Sequence, residues 1–149
     1  EYILGKKEPE CIFCSYPKKN NDRDNLILYR SAHSFVMMNK YPYNNGHIMV
    51  VPYIHTSTID NLTDEILLDF MKVTQHSLKS LKEIFRPEGF NIGINIGAVA
   101  GAGIEEHVHL HMVPRWAGDT SFMSVLGEIR VIPEHILETY DKLYPIFNK

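Results

Sequence analysis

Three histidines stand at strict two-residue spacing in His107-Val108-His109-Leu110-His111, and the run closes in Met112-Val113-Pro114. Successive side chains of a β-strand alternate faces, so this spelling predicts a strand with three imidazoles on one face. Val108, Leu110 and Met112 then point the other way, into a core. A strand with an apolar back of this kind needs a second layer to cover it, which restricts the chain to folds with a packed sheet. A polar strand face needs no imidazole, since threonine or serine serves equally well. Three histidines in a row therefore point to chemistry near neutral pH, where the ring exchanges its proton.

The rest of the chain supplies the other layer. The pattern of apolar residues predicts strands over Leu26 to Ser31 and His33 to Asn39, joined as a hairpin near Ser31-Ala32-His33. Turn formers crowd Tyr41 to Gly46, and His47 to Tyr53 reads as a buried strand ended near Pro52. Asn61 or Thr63 caps the clearest helix, along which Ile66, Leu67, Phe70, Val73, Leu78, Leu81 and Phe85 recur at roughly helical spacing. Arg86-Pro87-Glu88-Gly89 stops it. Phe90 to Ile96 is a further strand, and the glycine-rich stretch from Gly97 to Gly103 leads into the histidine strand. Residues 115 to 133 lack periodicity and form a long connection, and Glu134 to Phe147 forms a closing helix. The expected class is α+β: an antiparallel sheet of about five strands with one long helix and a C-terminal helix. With 149 residues this is one domain with one core, residues 1–10 a loose arm and 115–149 a C-terminal extension.

Composition narrows the partners. The net charge of −3 offers no broad basic field for a long nucleic acid, so any phosphate recognition must be local. No stretch is long and apolar enough to cross a bilayer, and the short charged start shows no signal peptide. The chain is accordingly read as cytoplasmic, acting on a small molecule rather than a membrane. The two cysteines, Cys11 and Cys14, form Cys-Ile-Phe-Cys. That pair allows a redox dithiol, half of a metal site, or two unrelated buried thiols. The polar run Lys18 to Arg23 that follows does not suit a thioredoxin-like unit, and eight histidines are at hand as further ligands.

An unprotonated imidazole is a nucleophile near pH 7 without a separate base. Attack on phosphorus gives a cationic phosphoimidazole, which is in turn a good leaving group toward water. His109, flanked by two imidazoles, is the candidate nucleophile, and His111 is the neighbour best placed to protonate a departing oxygen. The glycines before the strand, Gly101 and Gly103 among them, permit close backbone approach, and their amides can hold phosphate oxygens. No Gly-Lys-Ser/Thr follows, so this is no Walker loop. A plain flexible turn fits the same residues.

The run His107-Val-His109-Leu-His111-Met-Val-Pro114 matches the histidine-triad (HIT) pattern. Ser34 to Asn39 and Gly46 to Pro52 also resemble strands of that family, so the resemblance extends from Cys11 to about Gly118. Arg115 to Asp119 is most similar to the dinucleoside-polyphosphate branch, and Ser121 to Gly127 with Val131 to Glu134 resembles diadenosine tetraphosphate phosphorylase or hydrolase members. The resemblance implies a nucleotidyl-transfer enzyme that forms an adenylyl-histidine, carried onto His109, and releases the nucleotide to water or phosphate. It assigns His47 and His111 as supporting histidines and Asn39 to the ribose hydroxyls. Asn95 falls at a polar position near phosphate or leaving group, and Met37 beside the base, where it can equally be a plain core residue.

The family's frequent Gln-Ser or Gln-Thr is replaced here by Gly101-Ala102-Gly103-Ile104. Phosphate contacts at this point fall to backbone amides. Members with an N-terminal Cys-x-x-Cys often bind structural zinc, which implies the ligand set Cys11, Cys14, His55 and His107; no organic cofactor is implied. The family commonly pairs as a homodimer. Phosphorylases of the related transferase branch usually end the motif in Gln, so His111 favours hydrolysis of a dinucleoside polyphosphate such as diadenosine tetraphosphate. The alternatives are phosphorolysis, cleavage of an adenosine phosphoramidate, a nucleotide-sensing module, or a metal held by the three triad imidazoles themselves.

Overall fold

The computed structural model describes residues 10–119 and 133–149. Short runs of β-branched, aromatic and aliphatic residues form five strands: β1 (Ile27–Arg30), β2 (Ser34–Met38), β3 (Ile48–Pro52), β4 (Gly89–Ile94) and β5 (Leu110–Arg115). They make one antiparallel sheet in the order β1-β2-β3-β5-β4. The last strand in sequence is thus inserted between β3 and β4, so the histidine strand has a partner on each side.

Side-chain alternation sends two sets of residues to two faces. Val36, Met38, Ile48, Val50, Leu110 and Met112 pack in one cluster with Phe70, Val73 and Leu81 of helix α2 (Asp64–Phe85) and with Ile136, Tyr140, Leu143 and Phe147 of helix α3 (Pro133–Phe147). Burying each such side chain contributes about 1.5–3 kcal/mol relative to leaving it exposed. The expected helix start is found: Thr63 caps α2, its hydroxyl accepting the Ile66 N–H at 3.3 Å. Thr74, Ser77 and Ser80 are buried on α2, and each hydroxyl donates to the carbonyl four residues back, at 2.9, 2.8 and 2.9 Å. Small side chains satisfied within their own helix let α2 lie close to the sheet. Helix α3 is tied down by Tyr140, whose hydroxyl donates to the Ile27 carbonyl at 2.7 Å, and by His76 Nε2–H, which donates to the Phe147 carbonyl at 2.8 Å.

The opposite face is covered only in part. Ile27, Phe35, Met37, Met49 and Val51 pack beneath Phe13, with Cys11, Ile12 and Tyr16 around it. These come from a helical turn α1 (Ile12–Ser15) followed by a 3-10 turn over Tyr16–Lys19. Sequence periodicity gives no sign of α1, because a four-residue turn is too short to show one. The segment lies over β1 to β3 and leaves the β3–β5 side of this face for His47, His109 and His111.

The histidine strand is shorter than its spelling predicts. Regular pairing starts at Leu110, with Val50 opposite it, so His107 and His109 precede the ladder. Continuing that register would put Pro52 opposite Val108, and proline has no N–H to offer a ladder. Instead the Pro52 carbonyl accepts His107 Nε2–H at 2.8 Å, while Val108 N–H reaches past it to the Thr56 carbonyl at 2.7 Å. The alternation of faces is kept, since Leu110 and Met112 join the helix-side cluster.

One glycine in the turn before β3 is sterically required. Gly46 has φ +82°, and a Cβ there would stand 2.7 Å from Phe85 Cε2. The turn is pinned to the end of β5 by Asn44 Nδ2, which donates to the Pro114 carbonyl at 3.1 Å. Part of the expected loose arm (1–9) and most of the long connection (120–132) lie outside the described residues.

Candidate active site and metal centre

Sheet register brings the polar residues together. Asn39 follows β2 and His47 precedes β3, and the Asn39 N–H donates to the His47 carbonyl at 3.0 Å. Met37 pairs with Met49, Met49 with His111, and His111 with Gly93. Extending the β4–β5 register by two residues puts Asn95 opposite His109. Residues distant in sequence thus form adjoining rows on one sheet face.

A hydrogen bond to the second nitrogen assigns the tautomer of each imidazole. Tyr43 N–H donates to His47 Nδ1 at 3.1 Å, so the His47 proton sits on Nε2. That Nε2–H donates to His111 Nδ1 at 2.9 Å, which leaves the His111 proton on its own Nε2. His109 is wired the opposite way: its Nδ1–H donates to the His107 carbonyl at 2.9 Å, so Nε2 keeps a lone pair. The His109 and His111 ring centroids are 4.8 Å apart at an interplanar angle of 70°. One ring offers a lone pair, and its neighbour offers an N–H.

His109 is deeply set, with only 4% of its surface exposed. It is not sealed. Among the described residues Ser34 Oγ is the one fully buried side-chain polar atom without a partner. His109 Nε2 makes no hydrogen bond among the described residues, so it must be reached by solvent. Burial keeps the cluster neutral. His47 is pushed down to about 3 by burial and then by the neighbouring His111 and His109, and His111 to about 4 by burial and then by His109. Burial also lowers His109, although its bond to the His107 carbonyl opposes this.

The other expected nucleotide contacts lie around this core. Asn39 Oδ1 accepts the Tyr41 N–H at 2.9 Å, which turns Nδ2 toward His47 Nε2 at 3.4 Å and Met49 Sδ at 4.0 Å. His47 Nε2 already donates to His111, so the Asn39 amide remains available to a ligand. Asn95 Nδ2 donates weakly to the Gly101 carbonyl at 3.5 Å, and Gly101 has φ +97°. Gly103 has open space where a Cβ would stand. Met37 is buried in the cluster beneath Phe13.

The basic and aromatic side chains at and just after the end of β5 are engaged with neighbours. Arg115 pairs with Asp119 at 3.0 Å and with Asn91, and Trp116 packs edge-on against Phe85 with centroids 6.5 Å apart. Sequence reading missed Tyr43. Its backbone fixes the His47 tautomer, and its ring lies parallel to that imidazole at 5.6 Å.

His107 serves a different site. With its proton on Nε2 held by Pro52, Nδ1 faces Cys11 Sγ at 3.3 Å, Cys14 Sγ at 3.6 Å and His55 Nδ1 at 3.2 Å. Cys14 Sγ lies 3.2 Å from His55 Nδ1, and all four donor atoms fall within 4.8 Å of one another. Metal bonds of about 2.0–2.3 Å in a tetrahedron put ligand atoms roughly 3.3–3.8 Å apart, so these donors fit a zinc-sized ion. Each thiol also lies within hydrogen-bonding distance of one imidazole nitrogen, Cys11 of His107 and Cys14 of His55. Burial and then the nearby Cys11 both raise the Cys14 thiol.

Comparison with known proteins agrees with this geometry. A model of the HIT domain matches residues 20–118. The AP-4-A phosphorylase of Mycobacterium tuberculosis is 41% identical over 119 residues, covering 80% of this chain. The chain spans only 61% of that relative's length. An uncharacterized HIT-like protein of Methanocaldococcus jannaschii is 33% identical over 120 residues, covering 80% of this chain and 89% of the relative. Among solved structures, a Zn-bound histidine triad family protein from Mycobacterium smegmatis superposes with a TM-score of 0.74 at 25% identity, covering 93% of this chain and 94% of the other. The chain belongs to the HIT domain family.

The depressed histidines make stability depend on pH. In the unfolded chain an imidazole titrates near 6.5, whereas folded His47 and His111 titrate at about 3 and about 4. Between those values the unfolded state binds more protons, so stability is full above pH 6.5 and falls as pH is lowered through the window. Moving from pH 7 to pH 5 is expected to cost roughly 2–4 kcal/mol for the pair. Urea denaturation checks it: the midpoint should drop by about 1 M or more, and a constant midpoint contradicts the buried neutral cluster.

Proposed function

We propose that this chain cleaves dinucleoside polyphosphates, such as diadenosine tetraphosphate, at the α-phosphorus through a nucleotidyl-His109 intermediate. The observation that carries this is the opposite wiring of two adjacent rings, a lone pair on His109 Nε2 and an N–H on His111 Nε2. The His109 Nε2 lone pair forms a bond to phosphorus, and the bond from phosphorus to the bridging oxygen breaks. The departing polyphosphate nucleotide leaves with that electron pair, its oxygen accepting a hydrogen bond from His111 Nε2–H. His111 is neutral at pH 7, and a polyphosphate oxygen is stable as an anion, so a strong acid is not required. Water then adds to phosphorus, the N–P bond breaks, and His109 recovers its lone pair as the mononucleotide and a proton are released. In this reading Asn39 binds ribose hydroxyls and the Gly103 N–H binds a phosphate oxygen, since Gly101 N–H and Ala102 N–H already donate to the Ala98 and Gly97 carbonyls at 3.0 and 3.3 Å.

A second reading has phosphate as acceptor in place of water. It is supported by the 41% identity to the mycobacterial protein named AP-4-A phosphorylase. Both readings require the same His109 chemistry. His109→Ala is expected to lower kcat by at least about 10³-fold while a methylene-bridged analogue still binds. Products formed in labelled phosphate separate the acceptors: AMP with ATP shows hydrolysis, and ADP with ATP shows phosphorolysis. Near-normal turnover by His109→Ala would refute both.

The Cys11, Cys14, His55 and His107 set supports a structural zinc ion, which when bound would cross-link the N-terminal turn to the sheet. Protein purified without a histidine tag is expected to carry about one zinc per chain. Less than about a tenth of an equivalent, with both thiols freely titratable, would rule the site out. For assembly, β4 lies at the edge of the sheet with Ile92 exposed on it, which supports a homodimer joined along that edge. Sedimentation velocity should then give a species of twice the chain mass, and a monomer at micromolar concentration contradicts it.

A further inference from the structure

The metal-binding residues and the nucleophile share one neighbour. Phe13 lies between the two cysteines on α1, and it is 1% exposed. Its ring meets His107 edge-on, with centroids 5.4 Å apart at 69°, and lies against His109 at 4.8 Å and 53°. The turn that carries it is closed by Cys14 N–H and Ser15 N–H, both donating to the Cys11 carbonyl at 3.1 and 2.9 Å. Cys11 and Cys14 Sγ reach His107 and His55 from its two ends.

The His109 ring has one hydrogen bond, from Nδ1, and one such bond is a hinge. It fixes the tautomer but lets the plane rock, which swings Nε2 away from the line of attack. Two neighbouring rings limit the rocking, His111 and Phe13, each with its centroid 4.8 Å from that of His109. His111 is itself held through His47. Phe13 is held only by its packing and by the turn on which it sits.

We propose that Phe13 is a positioning residue for His109, and that metal held by Cys11, Cys14, His55 and His107 acts on the first chemical step by clamping Phe13 in place. The inference rests on the nucleotidyl-transfer and zinc readings above. Clamping both ends of a four-residue turn removes its freedom to lift, and the ring then keeps His109 Nε2 in a near-attack geometry. Metal occupancy then alters the rate of phosphorus transfer without contacting substrate. Nucleotide affinity is set elsewhere and does not change.

The test uses the full chain and Phe13→Leu, which keeps apolar volume and removes the flat wall. Phe13→Met is the second variant, used if the first fails to fold by circular dichroism. Three quantities are measured: zinc content, affinity for a methylene-bridged dinucleotide, and the single-turnover rate of label transfer to His109. The variant is expected to keep its zinc and to bind the analogue within about twofold of wild type, while label transfer slows about tenfold. Stripping metal from wild type should slow transfer by a similar factor, and stripping it from the variant should add less than about twofold more, because both changes release the same ring.

A spectroscopic readout is independent of turnover. Long-range nitrogen–proton correlation of the imidazoles should show one sharp Nδ1–H tautomer for His109 in the metal-loaded wild type. The signal should be broadened in the variant and in the stripped protein. Wild-type transfer rates in the variant, or losses that multiply, overturn the proposal while leaving His109 chemistry intact. A wild type that never takes up label overturns the function as well, and one that holds no zinc overturns the metal half alone.

Discussion

Each imidazole of the cluster spends one nitrogen on a fixed partner, and that commitment decides what its other nitrogen can do. The Tyr43 amide takes His47 Nδ1, the His107 carbonyl takes His109 Nδ1–H, and the Pro52 carbonyl takes His107 Nε2–H. These three anchors are backbone groups, held by the sheet and its turns, while His111 Nδ1 is taken by a side chain, through His47 Nε2–H. A side-chain anchor would add rotamer freedom and a second titration. Backbone anchors add neither, and the one side-chain anchor, His47, is itself fixed by the Tyr43 amide, so the tautomers persist across the pH range in which the fold is stable. This explains why chemically identical side chains two residues apart take up unlike tasks.

Neutral imidazoles can be buried at modest cost only if their polar atoms are paired or wet. The His47–His111 bond meets that condition inside the protein, and His109 meets it with one internal bond and one open atom. The apolar clusters on both faces of the sheet make the arrangement stable enough to bear such a site. The helix-side cluster is the larger, and it leaves the other face free to be covered unevenly. On that face α1 covers Met37 and Met49 and ends against His109.

Much of this was legible in the spelling. Alternation over Val108, Leu110 and Met112 gave away a two-faced strand, and Thr63, Arg86 and Gly89 marked the ends of the long helix. The meeting of Cys11 and Cys14 with His55 and His107 followed from family resemblance, not from spacing, because separations of 41 and 96 residues carry no distance information. Other features were hidden for physical reasons. The ladder stops before His109 because Pro52 lacks an N–H, and this emerges only when the β3–β5 register is known. Tyr43 was passed over because its contribution comes from the backbone, which every residue has.

The motif divides between two sites because the chain bends away from the sheet where regular pairing ends. Leu110 to Met112 are held by strands on both sides, so His111 is fixed by the ladder. His107 lies beyond the ladder and turns its Nδ1 toward the cysteines. His109 sits between, with neither the full ladder nor a metal bond to hold it. Its orientation must therefore come from what touches it: the His107 carbonyl, the His111 ring and Phe13. Two of those three contacts belong to the elements that carry the metal donors. A metal ion held by the cysteines, His55 and His107 would thus be in position to govern the geometry of the middle histidine.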